Sequence, residues 1–327
     1  MTNYNRWQIE QTGGPEQLGW VSGDLEPQGT QALVRHTAVG INFIDTYIRS
    51  GLYPAPLPTG IGMEGAGIVE AVGPDAHLVR VGDRVGYCTS GPGSYAEARL
   101  ADEATLIPLP DGIDDETAAA ALLKGLTVCY LLRKTFVVND SHTVLFHAAA
   151  GGVGLIFCQW AKALGARVIG TAGSAEKGEL ARANGCDEII LYRQEEVAPR
   201  VRALTGGRGV DVAYDAVGRD TYQGTLDSIA PHGLFASFGN ASGPPPAVNP
   251  MDLMQRGSLM FTRTSLFSYA STREDLLGLA DMLFEAIGNG SVKIHINHRY
   301  PLSEAPQVHR DLEARRTTGS IVMLPGG

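Results

Sequence analysis

The sequence has 327 residues, of which 44% are hydrophobic and 19% are charged, and its formal net charge at pH 7 is −9. This length and composition are typical of a globular protein with about two domains of ~150 residues each. The acidic balance argues against a nucleic-acid partner, which usually requires a basic face. We find no secretory leader and no run of ~18 apolar residues, so we expect a cytoplasmic protein with no membrane partner.

The cysteines are too scattered for a disulfide framework or a structural zinc site. Cys88, Cys129, Cys158 and Cys186 are far apart in the chain, whereas structural zinc sites use pairs about two to four residues apart. We therefore expect free, buried thiols in a reducing compartment.

Residues 1–123 read as short β-strands separated by turns that contain glycine and proline. The predicted strands include Gln31–Val39, Gly67–Val72 and Asp83–Tyr87. Turn clusters such as Gly13-Gly14-Pro15 lie between such runs. This pattern predicts a β-rich domain.

Residues 124–264 change to strands that alternate with amphipathic helices. Such alternation is typical of βαβ units and a parallel sheet. The predicted strands are Thr143–His147, Arg167–Thr171, Glu188–Leu191, Val210–Asp215 and Gly233–Phe238. The predicted helices are Gly152–Leu164, Ala175–Asn184, Glu195–Leu204 and Thr221–Ala230.

Residues 265–327 hold too few elements to bury a core of their own. They are helix Arg273–Gly288, the segment Val292–Ile296, a helix near Ala305–Ala314 and the apolar strand Ser320–Leu324. We therefore expect this segment to fold back on the β domain. The predicted fold class is α/β, with a doubly wound parallel sheet of the Rossmann type in residues 124–264 and a β-rich domain built from both chain ends.

A glycine-rich turn joins the first strand of the middle region to its first helix. It runs from Ala148 to Gly154 and contains Gly151 and Gly152. Small residues there let the backbone approach a pyrophosphate at the helix N-terminus. The turn is a variant of the dinucleotide fingerprint, so its place between strand and helix carries the prediction. A tight turn without a ligand is the alternative.

The end of the second strand favours NADPH over NADH. NAD sites usually place Asp or Glu there to bind the ribose 2′-hydroxyl. Here the stretch Ile169–Ser174 has no acid, and Lys177 follows it. A hydroxyl and a cation suit a 2′-phosphate, although a solvated helix lysine is the alternative for Lys177.

Several segments resemble the zinc-independent quinone oxidoreductases (zeta-crystallin-like) of the medium-chain dehydrogenase/reductase superfamily, and the resemblance runs nearly end to end. The most specific segments are Gly40–Tyr53, Leu123–Thr127, Phe146–Gly154, Tyr214–Asp220 and Ser237–Asn240. The resemblance implies a GroES-like catalytic domain (residues 1–123 and 265–327), a Rossmann NADPH-binding domain (124–264) and a cleft joining them. It also implies a homodimer through an edge strand near Ser258–Arg263.

The resemblance further implies which residues bind the ligands. The nicotinamide and substrate side is lined by Asn42, Tyr47 and Tyr53. The pyrophosphate region is bound by Thr127, Ala149, Gly151, Gly152, Val153 and Gly154, with Phe238 and Gly239 near the nicotinamide. The 2′-phosphate is bound by Lys177, Tyr192 and Arg315, with Ser174 beside them and Arg316 as an alternative to Arg315.

The positions where zinc-dependent relatives keep their ligands predict a zinc-free site. Asn42 stands where their first cysteine would fall, and Met63 and Glu64 stand where their His-Glu pair would fall. An amide and a thioether are poor zinc ligands. Glu64 is then either a buried acid or a structural carboxylate bound by backbone amides.

The leading hypothesis is an NADPH-dependent quinone reductase. Without a Lewis acid, an electron-poor acceptor reacts with less help than an alcohol. A reductase of α,β-unsaturated carbonyls would use the same site, and a crystallin-like or RNA-binding role is the non-catalytic alternative. Tyr47 or Tyr53 either donates a hydrogen bond to the developing oxyanion or forms an apolar wall for a flat substrate.

Overall fold

The computed structural model describes residues 3–326, which alternate between strands and helices. The strands are β1 (Asn3–Ile9), β2 (Gly19–Asp24), β3 (Gln31–Gly40), β4 (Thr59–Gly60), β5 (Glu64–Val72), β6 (Arg84–Tyr87), β7 (Ala98–Asp102), β8 (Ile107–Pro108), β9 (Thr143–Phe146), β10 (Arg167–Ala172), β11 (Glu188–Leu191), β12 (Val210–Asp215), β13 (Ile229–Ser237), β14 (Met260–Arg263), β15 (Ile296–Pro301) and β16 (Ser320–Leu324). The α-helices are α1 (Phe43–Ser50), α2 (Asp115–Tyr130), α3 (Gly152–Ala163), α4 (Ala175–Ala183), α5 (Val197–Leu204), α6 (Tyr222–Ser228), α7 (Pro250–Gln255), α8 (Leu266–Tyr269), α9 (Arg273–Gly288) and α10 (Ala305–Glu313).

The chain divides into two compact units. Unit 1 comprises the residues up to Leu126, Tyr269–Gly288 and the residues from Ile294 onward. Unit 2 comprises Thr127–Ser268 and Asn289–Lys293. Within residues 3–326, no helix combines the length and the apolar character that crossing a membrane requires.

Unit 1 is built around a largely antiparallel sheet that the last strand of the chain completes. The strand order is β15-β16-β3-β5-β6-β8, with β7 also paired to β3, and a smaller sheet has the order β2-β1-β4. Strand β16 pairs antiparallel with β3, so that Val322 lies opposite Gly40. Ile9, Ile41 and Ile321 belong to one apolar core. Residues from both chain ends therefore stabilise the same unit.

Unit 2 is a six-stranded parallel sheet in the order β11-β10-β9-β12-β13-β14. The order runs outward in both directions from the neighbours β9 and β12, which is the doubly wound arrangement of a Rossmann fold. Strand β9 is apolar over Val144–Phe146 and buried there, as expected for a strand covered on both faces. This confirms the predicted α/β class. In such sheets ligands bind outside the carboxyl ends of the strands, where the strand order reverses.

Two helices lie in or extend into the region that reads as β-strands. Helix α1 has only eight residues, too few for a clear helical period. Helix α2 is apolar on all sides and every residue of Ala118–Leu122 is buried, so no polar face marks it as amphipathic. The four cysteines are free and buried, as expected.

Strand β15 begins at Ile296, the last residue of the segment Val292–Ile296. The Lys293 N–H donates to Gln159 Oε1, and the Lys293 carbonyl accepts from Gln159 Nε2. These contacts occupy the backbone groups of Lys293 that a strand would use.

A chain of buried polar side chains joins α1 to α10 within unit 1. Arg49 Nη1 donates to His309 Nδ1 (2.9 Å), and His309 Nε2 lies 3.0 Å from the Tyr95 hydroxyl. Tyr95 in turn donates to Asp45 Oδ2 (2.9 Å), while Arg49 also pairs with Glu313 (2.6 Å). Since arginine has no acceptor atom, Nδ1 must accept and Nε2 must carry the proton. His309 is therefore a neutral link in this chain.

Acid should destabilise unit 1 through its buried histidines, against an opposing effect of Asp45. Burial lowers the pKa of His309 to about 3, with a further contribution from Arg49, and lowers the pKa of His36 to about 4. An unfolded histidine titrates near 6.5, so the unfolded chain binds more protons and the free energy of unfolding falls as the pH drops below ~6.5. Burial raises the pKa of Asp45 to about 7, so between pH ~4 and ~7 the folded state binds a proton at Asp45 that the unfolded chain does not. Asp45 therefore opposes the fall in the free energy of unfolding in this pH range.

Urea unfolding between pH 5 and 6 tests this balance. Each net proton changes the slope of unfolding free energy against pH by about 1.4 kcal/mol per pH unit. We expect His309→Gln to lower this slope by about 1.4 kcal/mol per pH unit, and Asp45→Asn to raise it by about the same amount. Gln28→Asn, a non-titrating exchange at an exposed position of the same unit, is the control and should leave the slope unchanged. Equal slopes in all four proteins would contradict the assignment.

Candidate active site

The turn between β9 and α3 forms a cradle of backbone amides. Ala148 adopts a left-handed conformation with φ 57°, and Gly151 N–H donates to its carbonyl at 3.0 Å. The first N–H groups of a helix have no acceptor within the helix and carry partial positive charge. A Cβ on Gly154 would lie 2.5 Å from the Ala149 carbonyl oxygen and 2.6 Å from that of Ala148. The helix thus packs directly on the turn, and this geometry fits a pyrophosphate.

A buried polar network supports this turn from below. Thr171 Oγ1, on β10, accepts from Ala148 N–H and lies 3.2 Å from His147 Nδ1. His147 Nε2 lies 2.9 Å from Thr225 Oγ1, which donates to Asp215 Oδ2 at 3.2 Å. Burial lowers the pKa of His147, although the nearby Asp215 opposes this. The network links the turn to the end of β12 and assigns His147 a structural role.

The residues expected to bind a 2′-phosphate gather at the ends of β10 and β11. Ser174 is the N-cap of α4, and its hydroxyl accepts from Lys177 N–H at 3.3 Å. A Cβ on Gly173 would lie 2.7 Å from the Tyr192 hydroxyl, so that hydroxyl lies next to the Gly173-Ser174 turn. The Lys177 side chain is on the first turn of the same helix. Three of the four expected residues therefore lie at one edge of the sheet in unit 2.

Arg315 and Arg316 lie in unit 1, directly after α10, and both are exposed. Arg316 Nε donates to Asp311 Oδ1 at 2.9 Å, and its Nη2 contacts the same oxygen. Asp311 therefore binds the Arg316 guanidinium. Arg315 adopts a left-handed conformation with φ 58°.

Phe238 and Gly239 lie at the carboxyl ends of the central strands. Phe238 N–H donates to the Asp215 carbonyl at 2.8 Å, and a Cβ on Gly239 would lie 2.6 Å from the Ala216 carbonyl oxygen. Only glycine permits that approach. Thr127 is buried on α2 and also belongs to unit 2.

Tyr47 and Tyr53 form a small aromatic surface in unit 1. Their ring centroids are 5.2 Å apart in an edge-to-face arrangement, and Tyr53 N–H donates to the Tyr47 carbonyl at 3.0 Å. Helix α1 ends at Gly51, whose φ of 82° lets the chain turn back. Tyr47 is buried and Tyr53 is half-buried, packed against the apolar core. The structure thus brings the two predicted tyrosines together.

Asn42 lies immediately before α1 and contacts a buried carboxylate. Its Nδ2 donates to Glu64 Oε2 at 2.8 Å. Glu64 Oε1 accepts from Leu123 N–H at 2.7 Å, and Lys124 Nζ lies 3.2 Å from Oε2. We define these side chains as the Asn42–Glu64–Lys124 cluster. A backbone amide binds Glu64, as expected if its carboxylate has a structural role. The contact between Glu64 and Lys124 was not predicted from the sequence.

The donor set at the zinc-ligand positions does not suit a metal. The Asn42 amide nitrogen is used on Glu64, and Met63 is buried in the apolar core of unit 1. Among residues 3–326, no group of at least three His, Cys, Asp or Glu side chains is arranged to hold a metal ion.

Two family models match the chain, and their order along it is that of the largely antiparallel sheet of unit 1 and the parallel sheet of unit 2. The alcohol dehydrogenase GroES-like domain matches residues 28–111, and the zinc-binding dehydrogenase domain matches residues 152–290. The second description names zinc, but its matched range excludes Asn42, Met63 and Glu64.

Named relatives match over nearly the full chain. A quinone oxidoreductase of Pseudomonas aeruginosa is 54% identical over 98% of this chain and 99% of the relative. A 2-haloacrylate reductase of a Burkholderia species is 42% identical over 97% of this chain and 98% of the relative. The crystal structure of Escherichia coli quinone oxidoreductase complexed with NADPH has a TM-score of 0.96 and 47% identity, covering 98% of this chain and 100% of that one. The chain therefore belongs to the quinone oxidoreductase family of the medium-chain dehydrogenase/reductase superfamily.

Proposed function

We propose that this protein is a zinc-independent, NADPH-dependent quinone oxidoreductase. The observation that carries this proposal is the gathering of Ser174, Lys177 and Tyr192 beside an amide cradle at the carboxyl edge of the unit 2 sheet. The cradle suits a pyrophosphate, and the hydroxyls and the cation suit a 2′-phosphate. The similarity to quinone oxidoreductases, one of them complexed with NADPH, supports the same conclusion.

Each group of residues has a proposed role in this reaction. Ala149, Gly151, Gly152, Val153 and Gly154, together with Thr127, line the pyrophosphate region, and the amides of Gly152–Gly154 at the start of α3 bind the anion. Ser174, Lys177, Tyr192 and Arg315 bind the 2′-phosphate, and Phe238 and Gly239 adjoin the nicotinamide. Asn42, Tyr47 and Tyr53 line the acceptor side, orient a flat substrate and exclude water. When bound, NADPH supplies the reducing equivalents.

A reductase of α,β-unsaturated carbonyls is the second candidate. The similarity to a 2-haloacrylate reductase at 42% identity favours it, because a haloacrylate is an α,β-unsaturated acid. NADPH oxidation measured with quinones, alkenals and 2-chloroacrylate, and NADP⁺ reduction measured with simple alcohols, separate the candidates. We expect turnover with quinones and none with alcohols. A crystallin-like or RNA-binding role would instead give no turnover with any acceptor, and the net charge of −9 argues against RNA.

We further propose a cytoplasmic homodimer that pairs along β14. This strand ends the sheet order of unit 2, and Met260 on it is 52% exposed. Uncovered edge strands are normally protected or paired. Light scattering of the purified protein tests this proposal, and a monomer at all concentrations would contradict it.

Replacing Lys177 with alanine should weaken NADPH binding selectively. A lost hydrogen bond to a charged group costs about 1.5–3 kcal/mol, so we expect the Kd for NADPH to rise roughly tenfold or more. The Kd for NADH, which lacks the 2′-phosphate, should barely change. Fluorescence titration measures both. Arg182→Ala, an exposed cation on the same helix, is the matched control, and equal losses for both cofactors would contradict the 2′-phosphate assignment.

The purified protein should carry no stoichiometric zinc and keep its activity in a chelator. The reason is that Asn42 and Met63 occupy ligand positions and make contacts within unit 1. Elemental analysis together with an activity assay checks this prediction. About one zinc per chain, with activity lost on its removal, would overturn it.

A further inference from the structure

Lys124 is a buried cation with most of its hydrogen-bonding capacity unused. Its side chain is 6% exposed, and that of Glu64 is 0% exposed. An ammonium carries three N–H donors. Within residues 3–326, the acceptor that lies within hydrogen-bond distance of Lys124 Nζ is Glu64 Oε2, at 3.2 Å. Since buried donors nearly always find acceptors, the remaining N–H groups point to an acceptor that the chain does not supply.

Glu64 does not need Lys124 to satisfy its oxygens. Oε1 already accepts from Leu123 N–H at 2.7 Å, and Oε2 already accepts from Asn42 Nδ2 at 2.8 Å. A buried ion pair also carries a large desolvation penalty. Retaining an ammonium here therefore indicates a use for its charge.

The charge lies among the residues that occupy the zinc-ligand positions. Asn42 and Lys124 bind the same Glu64 oxygen, and Met63 precedes Glu64. A metal at such a position acts by polarising the oxygen of a carbonyl. An ammonium with free donors stabilises the same charge through hydrogen bonds, and does so strongly where water is excluded.

We propose that the Lys124 ammonium donates a hydrogen bond to a ligand carbonyl oxygen in unit 1 and stabilises negative charge on it. This inference rests on the proposed function. The quinone and the nicotinamide carboxamide are the two carbonyl sources in that reaction. In the two-electron reaction NADPH gives a hydride and solvent gives a proton, so that quinone becomes hydroquinone and NADPH becomes NADP⁺. Lys124 forms no covalent bond and keeps its protons.

The first experiment replaces Lys124 with methionine, which has similar bulk and no donor. With duroquinone as acceptor, kcat/KM should fall about 10- to 100-fold, as expected for a lost charge-assisted hydrogen bond. The Kd for NADPH, from fluorescence titration, should not change if the acceptor is the carbonyl source. If the Kd values for NADPH and NADH both rise by the same factor, Lys124 still binds a carbonyl oxygen, and that oxygen belongs to the nicotinamide carboxamide, which both cofactors carry. No change in either quantity would overturn the proposal.

The double variant Glu64→Gln/Lys124→Met separates this role from simple neutralisation of Glu64. Lys124→Met alone leaves a buried carboxylate without its cation, so its Tm should fall. The double variant removes both charges and keeps an oxygen for Leu123 N–H, so it should recover part of the lost Tm while kcat/KM stays low. Recovery of kcat/KM along with the Tm would show that Lys124 only neutralises Glu64, and would overturn the proposal. Arg84→Met, which breaks the partly buried pair with Asp115 in the same unit, is the control and should keep wild-type kinetics.

A binding measurement separates failure of this inference from failure of the proposed function. Duroquinone is titrated calorimetrically into the protein saturated with NADP⁺, which cannot reduce it. Saturable binding to wild type that weakens in Lys124→Met supports the quinone as the carbonyl source. Absence of binding to wild type would count against the quinone reductase proposal. In that case the NADPH titration tests the role of Lys124, and an unchanged Kd for NADPH in Lys124→Met would overturn that role.

Discussion

Replacing Gly154 with alanine should weaken NADPH binding by about 100-fold or more. The new Cβ would lie 2.5 Å from the Ala149 carbonyl oxygen and 2.6 Å from that of Ala148. Both contacts are with backbone, so the whole turn must move away from α3. The amides that form the cradle then no longer point at one anion, and the loss of one or two hydrogen bonds to a charged phosphate, at about 1.5–3 kcal/mol each, raises the Kd about 100-fold.

Fluorescence titration of NADPH measures this effect, and Gly278→Ala is its matched control. Gly278 lies inside α9, where a Cβ would meet nothing within 4 Å. The same substitution there should leave the Kd unchanged and stabilise the helix by about 0.5–1 kcal/mol. A Kd for Gly154→Ala within a few-fold of wild type would mean that the turn does not bind the pyrophosphate.

Replacing Tyr53 with alanine should lower kcat/KM for quinones by about 100-fold, whereas phenylalanine should be tolerated. The Tyr53 ring packs edge-to-face on Tyr47 with centroids 5.2 Å apart, and we propose that the pair forms a wall for a flat acceptor. Alanine removes that wall and lets the acceptor leave its reactive position, which costs about 100-fold for small displacements. Phenylalanine keeps the ring.

Steady-state kinetics with several quinones decides between the two roles of the Tyr53 hydroxyl. A lost oxyanion donor typically lowers kcat by about 100-fold or more. A loss of that size in Tyr53→Phe would show that the hydroxyl, and not the ring, is the important group. Leu52→Ala, at an exposed neighbouring position, is the control and should retain wild-type kcat/KM.

The sheet of unit 2 was predictable from sequence because its signals are local. Each strand is a short apolar run, each helix has an apolar stripe, and loops between them are short, so the bounds of β11 and β12 agree with the prediction at both ends. The register between strands was not predictable, because pairing joins residues distant in the chain. The contacts between Lys293 and Gln159 before β15 were not predictable for the same reason, since the two residues are 134 positions apart.

The candidate site was predictable where a motif is contiguous. The turn around Gly151 and the acid-free end of β10 are read from neighbouring residues. The supporting contacts are not, because His147 and Thr225 are 78 positions apart, and Glu64 and Lys124 are 60 apart. Nothing in the sequence near Lys124 marks it as the partner of a distant glutamate. Such pairs become visible only when the fold brings the strands and helices together.

The pairing of β16 with β3 has a consequence for the order in which the protein forms during translation. Strand β3 ends at Gly40, but its neighbour β16 begins only at Ser320. At about 5–20 residues per second, the ribosome needs roughly 15–60 s to make the intervening chain. Until β16 is made, Val39 and Gly40 at the end of β3 lack their partners, although β7 already pairs with Gln31–Arg35. Every strand of unit 2 is synthesised within this delay, so unit 2 can form before the sheet of unit 1 is complete, and chaperones that shield open strand edges have their longest opportunity at this end of β3.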